Sequence, residues 1–339
     1  MYTEEFILDE VNAIREEIGH DKVNIFIEEL HYSEDTNELW IITEDRPDKS
    51  AIIGKGGWVV GKLKEKLGLE SVHVESYGDF LNKEYKLKLS KKTLHNLNSD
   101  LNGLKNLEKV IDYKLDNIYS FSFDNYFKEN EFEESENTEA VVALSGGVDS
   151  SFSLILAKKL GFNPMAVTVD PGTIILPKQF KENIQKVTDK LNVEHEYIEA
   201  DYSEIIEESF TGKFHPCGRC SKNTGEIVKE YAKDKEIPII IFGDMLATGS
   251  QCINLQEDSL YRLNLPASLT VGKQEIKSLI KNYDLKTFSG FGCPLLYEVH
   301  RKFPHMKKFS IQRILRETRS SALEPGEALD LIWSFYRTK

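Results

Sequence analysis

The sequence lacks several features, and each absence closes a line of interpretation. It opens Met1-Tyr2-Thr3-Glu4-Glu5, without a basic start or an apolar core, and no apolar run approaches the roughly 18 residues of a membrane helix. These absences predict a cytoplasmic chain with no membrane partner. Cationic excess is missing too: 43 Lys and Arg against 56 Asp and Glu leave a formal charge of −13. Such a balance argues against non-specific coating of nucleic acid, although local basic patches remain allowed. Cysteine is scarce, with four in 339 residues, too few for a secreted disulfide framework. All four (Cys217, Cys220, Cys252 and Cys293) fall in the second half, a clustering that points to metal or redox chemistry. Neither GxxxxGK[ST] nor GxGxxG occurs, which disfavours Walker-type γ-phosphate transfer and a dinucleotide fold. No internal repeat is visible.

What is present divides the chain into four stretches. Over residues 1–90 apolar spacing at Phe6, Ile7, Val11 and Ile14 predicts a helix, and Val23, Ile25 and Ile27 alternate as a strand. Leu39–Ile42 predicts a second strand. Pro47 to Ile53, a Gly54-Lys55-Gly56-Gly57 turn, and a helix from Trp58 to Leu67 capped by Gly68 come next, before a strand at Val72 and Val74. Residues 91–138 read as a helical and then acidic linker, with seven acids and only Lys128 between Asp124 and Glu139. Residues 139–298 alternate strands (Ala140–Leu144, Pro164–Val169, His195–Ile198, Pro238–Phe242) with helices, the pattern of a parallel sheet built from βαβ units. Residues 299–339 read as a basic helical segment. The expected fold class is α/β, a parallel-sheet catalytic domain preceded by a small α+β domain.

Ser145-Gly146-Gly147-Val148-Asp149-Ser150-Ser151, between a strand and a helix, is a good design for holding phosphate. Gly146 and Gly147 allow close backbone approach, the hydroxyls of Ser145, Ser150 and Ser151 can donate, and helix-start N–H groups favour an anion. Asp149 would hold Mg²⁺ or shape the loop. The segment resembles the pyrophosphate-binding loop of the PP-loop ATPase superfamily, whose α/β domains are like adenine nucleotide alpha hydrolases. That resemblance implies ATP cleavage between the α and β phosphates and transfer of AMP to a carbonyl or amide oxygen. It also implies nucleotide-binding roles for Asp170, at the end of the second strand, and for Gly243 and Asp244 in the loop 243–249.

Cys217-Gly218-Arg219-Cys220 is a CxxC opening a helix, and Cys293 follows in Gly290-Phe291-Gly292-Cys293-Pro294, with glycines that leave room for a bulky group. Thiolates suit Zn²⁺ or an iron–sulfur cluster. With the PP-loop upstream, the pattern resembles the [4Fe–4S]-dependent tRNA thiolases, the 2-thiouridine and 2-thiocytidine synthetases. The resemblance implies Cys217, Cys220 and Cys293 as cluster ligands, an open iron for sulfur, and catalytic roles for Asp149, Cys217 and Cys220. Val148 departs from it, since that family usually has Lys there; Cys252 offers a fourth thiol that would suit a structural Zn²⁺, but it reads better as a buried neutral cysteine.

Two stretches face RNA in this reading. The Gly54, Lys55, Gly56, Gly57 turn between two helices resembles the GxxG loop of a type II KH domain, which clamps unpaired nucleotides. Lys49, Lys55, Lys62, Lys64 and Lys66 surround it. Between Val299 and Arg319, seven basic residues, including Arg301, Lys302, Lys307 and Lys308, face one acid, a charge pattern suited to tRNA phosphates. The expected function is therefore ATP-dependent tRNA thiolation, with tRNA and a sulfur donor (sulfide or a carrier protein) as partners and a homodimer left open. The alternatives are an amidating or nitrile-forming PP-loop enzyme with structural zinc, and a non-catalytic RNA-binding protein.

Overall fold

The structure, a computed structural model, describes residues 2–34, 36–97, 99–134, 138–246, 251–256, 259–286 and 292–337. The chain divides into two units, Met1–Tyr85 with Asn117–Ser120, and Lys86–Asp116 with Phe121–Lys339.

The first unit contains α1 (Glu4–Glu17), β1 (Ile27–Ser33), β2 (Glu38–Thr43), α2 (Arg46–Ile53), α3 (Trp58–Leu67) and β3 (Ser71–Ser76), the element order the sequence predicts. β1 begins later than the Val23–Ile27 alternation implies, and Ile25 is buried without joining the sheet. β2 pairs antiparallel with β1 and parallel with β3. Ile7, Val11 and Ile14 of α1 and Val59 and Leu63 of α3 bury their apolar stripes with Leu39 and Ile41 of β2. Tyr119, from the returning segment, packs edge-on against Phe80.

Helix α4 (Tyr77–Leu97) precedes α5 (Asn102–Asp116) and α6 (Phe123–Glu129). The segment 91–138 is more than a solvated linker. Leu104, Leu107, Val110 and Ile111 of α5 and Phe123, Tyr126 and Phe127 of α6 lie inside the core of the second unit. The charge count conceals an aromatic face interleaved with the acids.

The second unit continues with β4 (Glu139–Ala143), α7 (Val148–Lys159), β5 (Asn163–Asp170), α8 (Lys178–Leu191), β6 (His195–Glu199), α9 (Ser203–Ser209), α10 (Pro216–Asp234), β7 (Ile239–Phe242), β8 (Ile253–Leu255) and β9 (Tyr261–Asn264). Beyond these come α11 (Leu265–Ser268), α12 (Lys273–Lys281), α13 (Pro294–Lys302), α14 (Lys307–Arg319) and α15 (Pro325–Ser334). Among the described residues the sheet order is β6-β5-β4-β7-β9-β8, parallel except for the β8–β9 edge. Ala140 and Val142 enter one core and Val141 the other, as do Ile239 and Ile241 against Ile240. Period-two alternation with both faces covered is why these strands read as unbroken apolar runs. From β4 the chain steps first to β5 on one side and later to β7 on the other, so a crevice opens at the C-terminal ends of β4 and β7.

Candidate nucleotide and thiol site

The loop after β4 sits at that crevice. Gly146 has φ +73°, and a Cβ there would lie 2.3 Å from the Phe180 carbonyl oxygen, so only glycine fits. Ser150 Oγ donates to Gly147 O at 3.1 Å and accepts the Ser145 N–H at 3.1 Å, which gives it a loop-shaping part rather than an outward one. Ser145 is exposed, with its Oγ 3.0 Å from that of Ser150. Ser151 Oγ is fully buried and has no hydrogen-bond partner among the described residues. An orphaned hydroxyl is costly, and in a strand–loop–helix turn it fits a chain shaped to meet an anion's oxygens. Val148, at the first position of α7, packs against the central core.

Gly243 brings the loop after β7 against this one. A Cβ at Gly243 would meet Ser150 N at 2.8 Å and Asp149 O at 3.0 Å. Asp244 is exposed, 3.4 Å from Arg262, and Ala247–Gly249 of the expected second loop lie outside the described residues. Asp149 is ion-paired through both oxygens with Lys273, the first residue of α12. Mg²⁺ at Asp149 would have to compete with that ammonium. Asp170 accepts the Gly172 N–H at 3.0 Å and pairs with Lys181, so its carboxylate is engaged in the turn closing β5.

The tertiary structure separates the four cysteines into three and one. Cys217 and Cys220 lie in the first turns of α10 and Cys293 caps α13, all half-buried, with Cys293 near enough to help raise the pKa of both of the others. Burial pushes the thiols up, Cys217 to about 11 and Cys220 to about 12, while the Arg313 guanidinium pulls Cys217 down. A Cβ at Gly218 would meet nothing within 4 Å, so there is room beside the pair. Cys252 is fully buried in the central core with its Sγ 3.3 Å from Ser90 Oγ. The four-cysteine zinc site left open by the sequence loses its fourth ligand. Among the described residues no three or more His, Cys, Asp or Glu side chains gather tightly enough to chelate one ion. Gly290 and Phe291 of the expected glycine-flanked motif lie outside the described residues.

A polar chain adjoins the thiols: His215 Nε2 lies 3.0 Å from Ser310 Oγ, which lies 3.1 Å from His300 Nε2. Burial, with His215 and Lys307 nearby, pushes His300 down to about 4. Neither this chain, nor Lys273, nor Arg313 was singled out as a site residue from sequence. Lys273 follows a helix-starting glycine, but nothing local ties it to Asp149, 124 residues earlier. A recess of about 660 Å³ bordered by Asn163, Asp189 and Asn192 opens at the opposite ends of the strands and includes none of these groups.

In the first unit, Gly54, Gly56 and Gly57 all take positive φ, and a Cβ at Gly54 would lie 2.4 Å from Val59 Cγ2. Lys55 is exposed, as is Trp58 beside it. Lys49 leaves the expected basic strip: it is 6% exposed and 2.7 Å from Glu75. Lys66 is paired with Glu10, which leaves the strip to Lys55, Lys62 and Lys64. In the C-terminal segment Arg301 pairs with Glu298, Lys302 lies 3.4 Å from Phe210 O, and Lys307 and Lys308 stand over Tyr336 and Phe309.

Comparison with known proteins follows the same map. A family model described as queuosine biosynthesis protein QueC matches residues 139–255, which spans the Ser145–Ser151 loop and the CxxC and stops before Cys293. Uncharacterized protein MJ1638 of Methanocaldococcus jannaschii is 39% identical over 188 residues, 56% of this chain and 71% of that protein. The tRNA-specific 2-thiouridylase MnmA of Persephonella marina is 27% identical over 139 residues, 35% of this chain and 37% of that one. A solved structure titled U34-tRNA thiolase NcsA from Methanococcus maripaludis with its [4Fe-4S] cluster aligns at TM-score 0.39 and 15% identity, covering 60% of this chain and 73% of that chain. No helix among the described residues is long and apolar enough to cross a membrane. By the loop after β4, its place in the sheet and these sequence matches, the chain belongs to the PP-loop ATPases, in a family that includes MJ1638.

Proposed function

We propose that the protein is an ATP-dependent tRNA thiolase, and the observation that carries this is the packing of α10, which bears Cys217 and Cys220, on α13, which Cys293 caps, with α14 bonded to His215 beside those thiols and, past its other end, to Lys273, the partner of Asp149 in the loop. In the first step a base carbonyl oxygen bonds to the α-phosphorus of ATP while the α–β bridging bond breaks, and the electron pair leaves on pyrophosphate. The loop 145–151 and Lys273 receive that pyrophosphate, with Gly146 and Gly243 holding the loop in register. In the second step sulfur at the sulfide level adds to the base carbon and AMP leaves with the C–O bonding pair, so no external oxidant or reductant is needed.

Cys217, Cys220 and Cys293 would hold a [4Fe–4S] cluster, which when bound supplies an iron open to sulfur. The thiols' own part is to lose their protons to the metal on binding, from values that burial raises. The GKGG turn, with Lys55 and Trp58, would clamp and stack unpaired nucleotides as a KH-like element, and Arg301, Lys302, Lys307 and Lys308 would meet phosphates. The 27% identity to a tRNA-specific 2-thiouridylase lends support.

The test is anaerobic purification with iron and acid-labile sulfide analysis, followed by thionucleoside mass spectrometry of tRNA incubated with ATP and sulfide. The expected result is about four irons per chain, lost in Cys217→Ala and retained in Cys252→Ala, with a thionucleoside that depends on ATP. Stoichiometric zinc without iron, or unaltered tRNA with a loaded protein, would overturn the reading.

A further inference from the structure

Helix α14 is fastened at both ends to the two halves of the site. Near its start Ser310 hydrogen-bonds His215, two residues before Cys217. Past its end the Ala322 carbonyl accepts the Lys273 N–H at 3.0 Å, and Lys273 is the residue whose ammonium pairs with Asp149. Arg313 lies one turn beyond Ser310, on the same helix face. Its Nε donates to Glu317 Oε1 at 2.9 Å, and Glu317 is only 6% exposed, so a buried carboxylate aims the guanidinium. The Arg313 side chain remains 46% accessible, and the Asp149 carboxylate is among the charges that hold it ionised.

Lys273 and the loop already account for the pyrophosphate end of the nucleotide, and the cysteines account for the sulfur end. Between a pyrophosphate held at 145–151 and a sulfur presented at the thiols lies the α-phosphate with the oxygen it esterifies. Helix α14, bonded near its start to His215 and past its end to Lys273, runs from one of those ends to the other and carries Arg313. A guanidinium also has the fork geometry suited to two oxygens of one phosphate.

We propose that Arg313 is the α-phosphate ligand, binding the adenylate before and after cleavage while Lys273 and the loop hold the departing pyrophosphate. The assignment rests on α,β cleavage by the PP-loop and not on the sulfur chemistry. Arg313 fixes the phosphate during attack and neutralises the charge that AMP carries when it leaves. Its origin on α14 makes the nucleotide site incomplete without the C-terminal segment.

The experiment is calorimetric binding of AMP, α,β-methylene-ATP and inorganic pyrophosphate to the full chain and to Arg313→Ala, Arg313→Lys and Lys273→Ala. Loss of a charge-assisted phosphate contact should weaken AMP and the ATP analogue at least about tenfold in Arg313→Ala, and by less in Arg313→Lys. Pyrophosphate should stay within about twofold, and Lys273→Ala should show the reverse order. Arg313→Lys keeps the charge, so it carries the test if the alanine variant fails to fold. Unchanged AMP affinity overturns the proposal, as does equal loss for AMP and pyrophosphate. Loss confined to tRNA binding would make Arg313 an RNA contact and overturn it too. A wild type that binds AMP and pyrophosphate but forms no thionucleoside defeats the thiolase reading while leaving this assignment standing.

Discussion

Ser151 offers a perturbation whose effects on stability and on ligand affinity should carry opposite signs. Its hydroxyl is fully buried and has no partner among the described residues, a state that costs about 1–3 kcal/mol relative to a satisfied group. Ser151→Ala deletes the oxygen and leaves a helix former in the first turns of α7, where the backbone N–H already bonds Gly147 O at 3.0 Å. The ligand-free protein should therefore gain about 1 kcal/mol, or about 2–4 °C in Tm for a unit of this size. If the hydroxyl meets a phosphate oxygen, the variant should lose about 1–2 kcal/mol of nucleotide affinity, roughly five- to thirtyfold. Thermal unfolding with and without pyrophosphate and α,β-methylene-ATP reads both quantities in one series. A variant less stable than wild type by more than about 1 kcal/mol would show that the hydroxyl is satisfied in the folded chain. Unchanged nucleotide affinity would remove Ser151 from the phosphate site.

Two more outcomes follow from the geometry. Gly243→Ala places a methyl 2.8–3.0 Å from the backbone of Asp149 and Ser150, so the phosphate loop must shift by several tenths of an ångström. The protein should fold with a loss of about 1–3 kcal/mol, while pyrophosphate release falls on the order of 100-fold, and wild-type turnover in a folded variant would contradict the close approach. His300 is neutral in the fold, its pKa pushed from 6.5 to about 4, so the unfolded chain takes up a proton first. Its contribution to stability is intact above pH 6.5, falls as pH drops through the window to 4, and is lost by about 3 kcal/mol below it. His300→Gln, which can still reach Ser310, should flatten the wild-type slope in that window; parallel pH profiles for the two proteins would refute the assignment.

Legibility in the sequence followed chain distance. The first unit's element order, the span and glycine cap of α3 and the strand–loop–helix at 139–159 were readable because neighbours three or four residues apart, or alternating along a strand, write them. Segment 91–138 misled because charges dominate its composition while Phe123, Tyr126 and Phe127 form a buried face. Lys49 misled for the opposite reason. Its charge is visible, but Glu75 and Asp79, about one strand and helix further on, bury and neutralise it.

By itself the sequence determined a glycine- and serine-rich strand–loop–helix turn, a CxxC at a helix start and a GxxG between helices, since each depends on backbone freedom or side-chain spacing within a few residues. The grouping of Cys217, Cys220 and Cys293 came from a family resemblance and the burial of Cys252 was expected, but only the tertiary structure decided that Lys273 meets Asp149. It alone bonded the helix that carries Arg313 to His215 near its start and to Lys273 past its end. Those are pairings of residues distant in the chain, and the sheet order and the packing of α10, α12 and α14 bring them together, with no local signal to announce them.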